Sequence, residues 1–172
     1  WTDTEGMNAM TNIAILGTGR IAGVMAETLQ GMKKKAPDSI CRHAVASRAM
    51  GKAEEFARQY GFEKAYGSYG ELARDEQTQL VYVATPHSQH YGNAKLCLEN
   101  GKNVLCEKAF TVNAGQAAEL CALAESKGLL LAEAIWTRYM PSYKRVAEML
   151  RSGLIGKPQM LTANLCYKID QV

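Results

Sequence analysis

Long apolar runs are missing from this chain. No stretch approaches the roughly 18 consecutive apolar residues of a membrane-crossing helix, so no membrane partner is expected. Net charge is nearly absent as well. A formal balance of +3 is too small to point to nucleic acid as a partner. The one basic run, Lys33-Lys34-Lys35, falls where the first predicted helix ends, and lysines there suit the helix dipole. Paired cysteines are lacking too. Cys41, Cys97, Cys106, Cys121 and Cys166 are scattered and odd in number, with no C-x-x-C spacing. That argues against a disulfide framework and against a zinc site, so no metal is expected, and it favours a reducing compartment. Cys106 reads as a buried strand residue, since free cysteine packs as a small hydrophobe. Residues 1–10 lack the basic start and apolar core of a secretory signal, and read as a disordered lead or an expression remnant. There are no internal repeats or low-complexity tracts, and these absences together predict a cytoplasmic protein.

What is present is the composition of an ordinary globular chain, 47% hydrophobic and 22% charged over 172 residues. That length holds one domain, or one domain and part of another. The most informative stretch is Thr11-Asn12-Ile13-Ala14-Ile15-Leu16-Gly17-Thr18-Gly19-Arg20-Ile21-Ala22-Gly23. An apolar strand stops at Gly17 and an amphipathic helix begins two residues later. Gly17 tolerates the backbone conformation that so tight a turn needs. Gly19 lets a pyrophosphate approach the free N–H groups of the helix, and Ala22 lets that helix pack on the strand. The pattern G-x-G-x-x-A, placed between strand and helix, indicates dinucleotide binding, with Gly17, Thr18, Gly19, Arg20 and Ile21 as candidate contacts.

Strand and helix patterns then alternate. Predicted strands are Ile13–Leu16, His43–Ala46, a short piece at Glu63–Tyr66, Leu80–Ala84, Asn103–Cys106 and Leu129–Ala132. Predicted helices are Ile21–Met32, Lys52–Tyr60, Tyr69–Arg74, His90–Asn100 and Ala114–Ser126, the last stopped by Gly128. Repeated βα units imply an α/β fold, a doubly wound parallel Rossmann sheet over residues 11–132. From residue 133 the pattern changes to a helix at Pro141–Ser152 and one long strand at Gln159–Tyr167. One strand cannot bury a core alone. Residues 133–172 are therefore expected to be the incomplete start of an α+β domain with an antiparallel sheet.

Ligands of open α/β sheets bind beyond the carboxyl ends of the strands, so residues just after each strand are the candidates. After the second strand comes Ser47-Arg48, where an NAD-preferring site would place an acid. A hydroxyl followed by a guanidinium suits a 2′-phosphate, which favours NADP, with NAD as the alternative. At the end of the fourth strand stand Ala84-Thr85-Pro86-His87-Ser88-Gln89-His90. Proline ends the ladder and the polar run caps a helix. His87 reads as a loop or capping residue rather than a catalyst, and His90 as packing or surface. After the fifth strand comes Cys106-Glu107-Lys108-Ala109-Phe110, which sends a lysine towards the cleft.

These strand-end motifs together resemble the Gfo/Idh/MocA family of NAD(P)-dependent oxidoreductases, from about Asn12 to the chain end. Val81 to His90, Asn103 to Lys108 and Ala132-Glu133-Ala134-Ile135-Trp136-Thr137-Arg138-Tyr139-Met140-Pro141 look most like its dihydrodiol dehydrogenase branch. The resemblance implies that Lys108 is the catalytic acid/base and helps to hold the substrate. It places Glu107 by the nicotinamide ribose, and Thr85, Pro86 and His87 along the nicotinamide half. Trp136 and Arg138 match positions bordering cofactor and substrate. The family motif is Glu-Lys-Pro, and its proline is Ala109 here. A non-proline cis bond costs about 2.5–4 kcal/mol, so the Lys108–Ala109 bond is expected to be trans. The family's substrate sheet, with acidic or histidine and tyrosine partners for the lysine, would follow Val172.

The implied reaction moves a hydride between nicotinamide and the CH–OH or C=O carbon of a sugar, polyol or dihydrodiol. Lys108, buried in the completed site, would exchange the proton. At full length the resemblance implies a homo-oligomer; the 172-residue piece alone is expected to be inactive. Two other readings stand beside the enzyme: a non-catalytic dinucleotide-binding module or sensor, and a scaffold that has lost the cofactor.

Overall fold

The computed structural model describes residues 10–164. The expected lead up to residue 9, and the part of the expected last strand beyond residue 164, lie outside the described residues. Six strands form one sheet: β1 (Thr11–Leu16), β2 (Ile40–Ala46), β3 (Lys64–Tyr66), β4 (Leu80–Val83), β5 (Asn103–Cys106) and β6 (Leu131–Glu133). Between them lie α1 (Arg20–Lys35), α2 (Met50–Tyr60), α3 (Tyr69–Arg74), α4 (His90–Glu99) and α5 (Ala114–Lys127). Every pairing is parallel, in the order β3-β2-β1-β4-β5-β6. The order reverses between β1 and β4, which opens a crevice at their carboxyl ends.

Alternation along the strands sorts the core into two layers. On one face Ala14, Leu16, Val81, Val83 and Val104 pack with Leu72 of α3, Leu98 of α4 and Leu120 of α5. On the other, Ile13, Ile15, Val45 and Tyr82 pack with Ala22, Ala26 and Leu29 of α1 and Phe56 of α2. This is the doubly wound arrangement that the alternating pattern predicts. Side chains start two of the helices: Ser68 accepts from the Glu71 N–H, and Asn113 from the Gln116 N–H.

The largest shift in a strand boundary is in β2, which begins at Ile40 rather than His43 because Thr11, Asn12 and Ile13 of β1 pair with Ile40, Cys41 and Arg42. Propensity alone does not reveal such pairing. One irregularity follows: Ile13 pairs with Arg42 but Ala14 with Ala44, so His43 is an extra residue, a β-bulge. Ile40 and Val45 consequently share one core layer although they stand an odd number of residues apart.

The chain divides into two compact units between Ala134 and Ile135. The second contains a 3-10 turn at Trp136–Tyr139 and α6 (Pro141–Arg151), with proline at its first position. Residues 159–164, expected to open the last strand, have no strand pairing and are exposed. Among the described residues none forms the strand partner that would satisfy their backbone. No helix among the described residues is long and apolar enough to cross a membrane.

Candidate functional site

The crevice is built from three strand ends held in register. The Gly17 N–H donates to the Ala46 oxygen, and the Ala84 N–H to the Leu16 oxygen, both at 2.9 Å. Gly17 has φ +105°, and a Cβ there would lie 2.7 Å from the Ala84 oxygen. No other residue type fits. At Gly19 the requirement is different: a Cβ would meet nothing within 4 Å, so the space in front of it is open. Gly19 caps α1 without a side-chain hydrogen bond, and the first turn of α1 contains no acidic residue. The first N–H groups of that helix therefore have no acceptor among the described residues, the arrangement that holds an anion.

A cleft of about 310 Å³ runs past this turn. Gly17, Thr18 and Gly19 form its floor, Ser47 and Arg48 one end, and Ala84, Thr85 and Pro86 the far wall. Ser47 is buried, with its hydroxyl 3.5 Å from that of Thr18, while Arg48 is exposed. Two further lining residues, Lys52 and Tyr69, were not singled out in the sequence. Lys52 lies in the first turn of α2, four residues after Arg48, and that closeness to a basic strand-end residue is the local signal for it. Nothing local marks Tyr69, which arrives from α3. Arg20 does not line this cleft but an adjoining cavity with Gly23, Glu27 and Tyr60, which shares Thr18 and Gly19 with it, and Ile21 packs against the core. The free donors, the close glycine turn and the Ser47-Arg48-Lys52 group fit the phosphates of a dinucleotide.

The lysine turn lies beyond β5. Glu107 is buried, and its carboxylate accepts from the Tyr82 hydroxyl and, at 3.0 Å, from the Lys108 N–H. Burial, and then the hydrogen bond to that carboxylate, push the Tyr82 phenol well above its ordinary range. Lys108 is exposed, and its ammonium has no hydrogen bond or ion pair among the described residues; this chain does not supply the burial expected of it. The Lys108–Ala109 bond is cis, which corrects the expectation of trans. Hydrogen bonds to residues distant in sequence hold this turn. The Ala109 oxygen faces His90 Nδ1 at 2.8 Å, and the Phe110 N–H donates to Glu133 Oε1 at 3.0 Å.

His90 is fully buried, and its Nε2 lies 2.8 Å from the Thr85 oxygen. One imidazole thus links the wall of the cleft to the lysine turn, a role that the sequence did not show. Asn93 supports the same wall by donating to the Thr85 hydroxyl at 3.0 Å. His87 is exposed in a 3-10 turn at His87–Gln89. Cys106 is fully buried, and burial pushes its thiol up to about 12. Trp136 and Arg138 are exposed in the second unit.

Among curated proteins, the chain is 40% identical over 158 residues to trans-1,2-dihydrobenzene-1,2-diol dehydrogenase of Oryctolagus cuniculus, covering 92% of this chain and 47% of that one. It is 47% identical over 149 residues to D-xylose 1-dehydrogenase (NADP(+)) of Hypocrea jecorina, covering 83% of this chain and 38% of that one. The chain thus spans less than half the length of these relatives. Among solved structures, an NAD binding oxidoreductase from Klebsiella pneumoniae matches with a TM-score of 0.80 and 30% identity over 87% of this chain and 41% of that one. A 3-ketoreductase from Actinomadura kijaniata, in complex with NADP and TDP-benzene, matches with a TM-score of 0.76 and 30% identity over 86% of this chain and 44% of that one. Residues 11–135, which carry the whole sheet and the cleft, match the family model described as oxidoreductase family, NAD-binding Rossmann fold, and the chain belongs to the Gfo/Idh/MocA family.

Proposed function

We propose that this chain supplies the nucleotide-binding domain of an oxidoreductase that interconverts an alcohol and a carbonyl on a sugar, polyol or dihydrodiol, with NADP as the preferred cofactor. The observation that carries the reading is the uncapped start of α1 facing a cleft that ends at Ser47, Arg48 and Lys52. Backbone donors of the first turn would hold the pyrophosphate. The Arg48 fork and the Ser47 hydroxyl would take the 2′-phosphate, with Lys52 adding charge beside them. Relatives named for a dihydrodiol and for D-xylose with NADP(+) support the substrate class and the cofactor. Free cysteines at 41, 97, 106 and 121 agree with a reducing, cytoplasmic setting.

Bound nicotinamide would supply the hydride chemistry. The chain's own part is positional and protonic. Tyr82 and the Lys108 N–H fix the Glu107 carboxylate, and His90 and Glu133 fix the turn that carries Lys108. The Lys108 amine would accept the hydroxyl proton when the alcohol is oxidised and return it when the carbonyl is reduced.

Titration with NADPH and NADH, followed by nicotinamide fluorescence, tests the cofactor reading. NADPH is expected to bind more tightly, with Arg48→Ala weakening it by roughly tenfold or more, the worth of one charge-assisted hydrogen bond. Equal affinities unaffected by Arg48→Ala would remove the NADP preference. Failure of a folded chain to bind either nucleotide would favour the scaffold reading.

A further inference from the structure

We propose that Cys41, His43 and Glu63 form a binding site for a zinc-class divalent cation at the amino end of β2, opposite the nucleotide cleft. Cys41 and His43 stand two apart on β2, and Glu63 arrives just before β3. One ligand atom from each lies within 4.8 Å of both others. Cys41 Sγ is 3.1 Å from Glu63 Oε1, and His43 Nδ1 is 3.3 Å from Glu63 Oε2. Tetrahedral zinc, with bonds of about 2.0–2.3 Å, has ligand-to-ligand edges of about 3.3–3.6 Å. Small side-chain adjustments therefore close the three groups around a metal.

Outer contacts of the histidine support this assignment. His43 Nε2 lies 2.7 Å from Asp75 Oδ2, the shorter of its two contacts, and this gives Nε2 the proton. In the neutral ring the Nδ1 lone pair then faces the Glu63 carboxylate, and only a cation between them makes that contact attractive. Such a carboxylate–histidine pair commonly fixes the tautomer of a metal-bound imidazole. Asp75 is itself anchored: its side chain is 6% exposed and accepts from the Gln77 N–H, the Thr78 hydroxyl and Lys64 Nζ. The β-bulge adds an independent observation, because the extra residue in β2 is His43 itself. Bulges re-aim a side chain, and they cluster near functional sites.

Ligand chemistry selects the metal. One thiolate, one imidazole and one carboxylate suit zinc or cobalt over magnesium or calcium, and two negative ligands neutralise a dication. The Glu63 side chain is 60% exposed, which leaves the fourth position to water. Metal there would tie β2, β3 and the end of α3 together without touching the cleft.

Cobalt(II) titration of the chelator-stripped chain tests the site. The expected result is one equivalent bound, with a sulfur-to-cobalt charge-transfer band in the near ultraviolet and tetrahedral bands in the visible. Cys41→Ser should abolish the charge-transfer band, and Asp75→Asn should weaken cobalt affinity by about 10–100-fold. Zinc should displace the cobalt and raise the melting temperature of the unsubstituted chain. If Cys41→Ser folds poorly, Glu63→Gln, on an exposed side chain, provides the second test through lost affinity. Absence of the charge-transfer band, or a band that persists unchanged in Cys41→Ser, overturns the proposal and leaves a proton on Nδ1 as the cation.

Discussion

The two ends of the parallel sheet treat their polar groups in opposite ways. At the carboxyl ends, donors are left open: the first turn of α1 has no side-chain cap, Arg48 is exposed, and the Lys108 ammonium has no partner among the described residues. At the amino ends, by contrast, several donors are consumed internally, although Arg42 Nε is buried without a partner among the described residues. Lys102 is buried and donates to the Asp75 main-chain oxygen at 2.7 Å, Lys64 reaches the Asp75 carboxylate and Gln77, and His43 Nε2 lies 2.7 Å from Asp75 Oδ2. Buried polar groups must be paired, whereas a ligand site has to leave its donors unpaired until the ligand arrives. The direction of the strands thus separates a nucleotide-facing end from a structural end within one sheet.

Two lysines six residues apart put that contrast to its hardest test. In an active full-length enzyme, Lys108→Met is expected to lower turnover by roughly 10²–10⁴-fold, with melting temperature and NADPH binding unchanged. Lys102→Met should do the reverse, costing about 1–3 kcal/mol of stability and sparing NADPH affinity. Initial rates, fluorescence titration and thermal melts read both variants. A Lys108→Met enzyme that keeps its turnover would remove the proton-transfer role; a Lys102→Met chain that keeps its stability would erase the contrast.

Gly17 is where the two demands meet, since it serves the cleft and also touches the core. Gly17→Val should cost about 1–3 kcal/mol for the left-handed backbone alone. Its Cβ would also press on the Ala84 oxygen at 2.7 Å, so NADPH binding should be lost along with stability. A smaller signal comes from the thiols. Burial pushes Cys97 and Cys106 up to about 12, so their thiolates form only as pH rises towards that value. Labelling at about pH 8, mapped by mass spectrometry, should therefore mark exposed Cys121 and leave those two unreacted. Rapid labelling of Cys106 would mean that the lysine turn opens in solution.

What the sequence shows is what lies close together along it. The glycine turn, the alternating strands and the polar residues after each strand were legible because each is a local pattern read against a known period. Lys52 was nearly so. Contacts made across the fold were not. Tyr82 reads as one more apolar strand residue until β5 brings Glu107 against its hydroxyl. His90 reads as helix packing until two turns converge on its ring. The contacts that hold the turn at Ala109 were hidden too, since they come from His90 and Glu133, 19 and 23 residues from their partners. Cys41, His43 and Glu63 show no spacing signal either, because they meet through strand pairing.

His43 carries one more consequence. The pairs on either side of it, Ile13 with Arg42 and Ala14 with Ala44, would survive intact if it were deleted, because it is the residue that β1 does not match. Elsewhere in a strand a single deletion slides every later side chain to the opposite face. Here β2 can shorten by one residue and still deliver Ala46, Ser47 and Arg48 to the same place. Deleting His43 would therefore remove the imidazole without disturbing the nucleotide end of the strand.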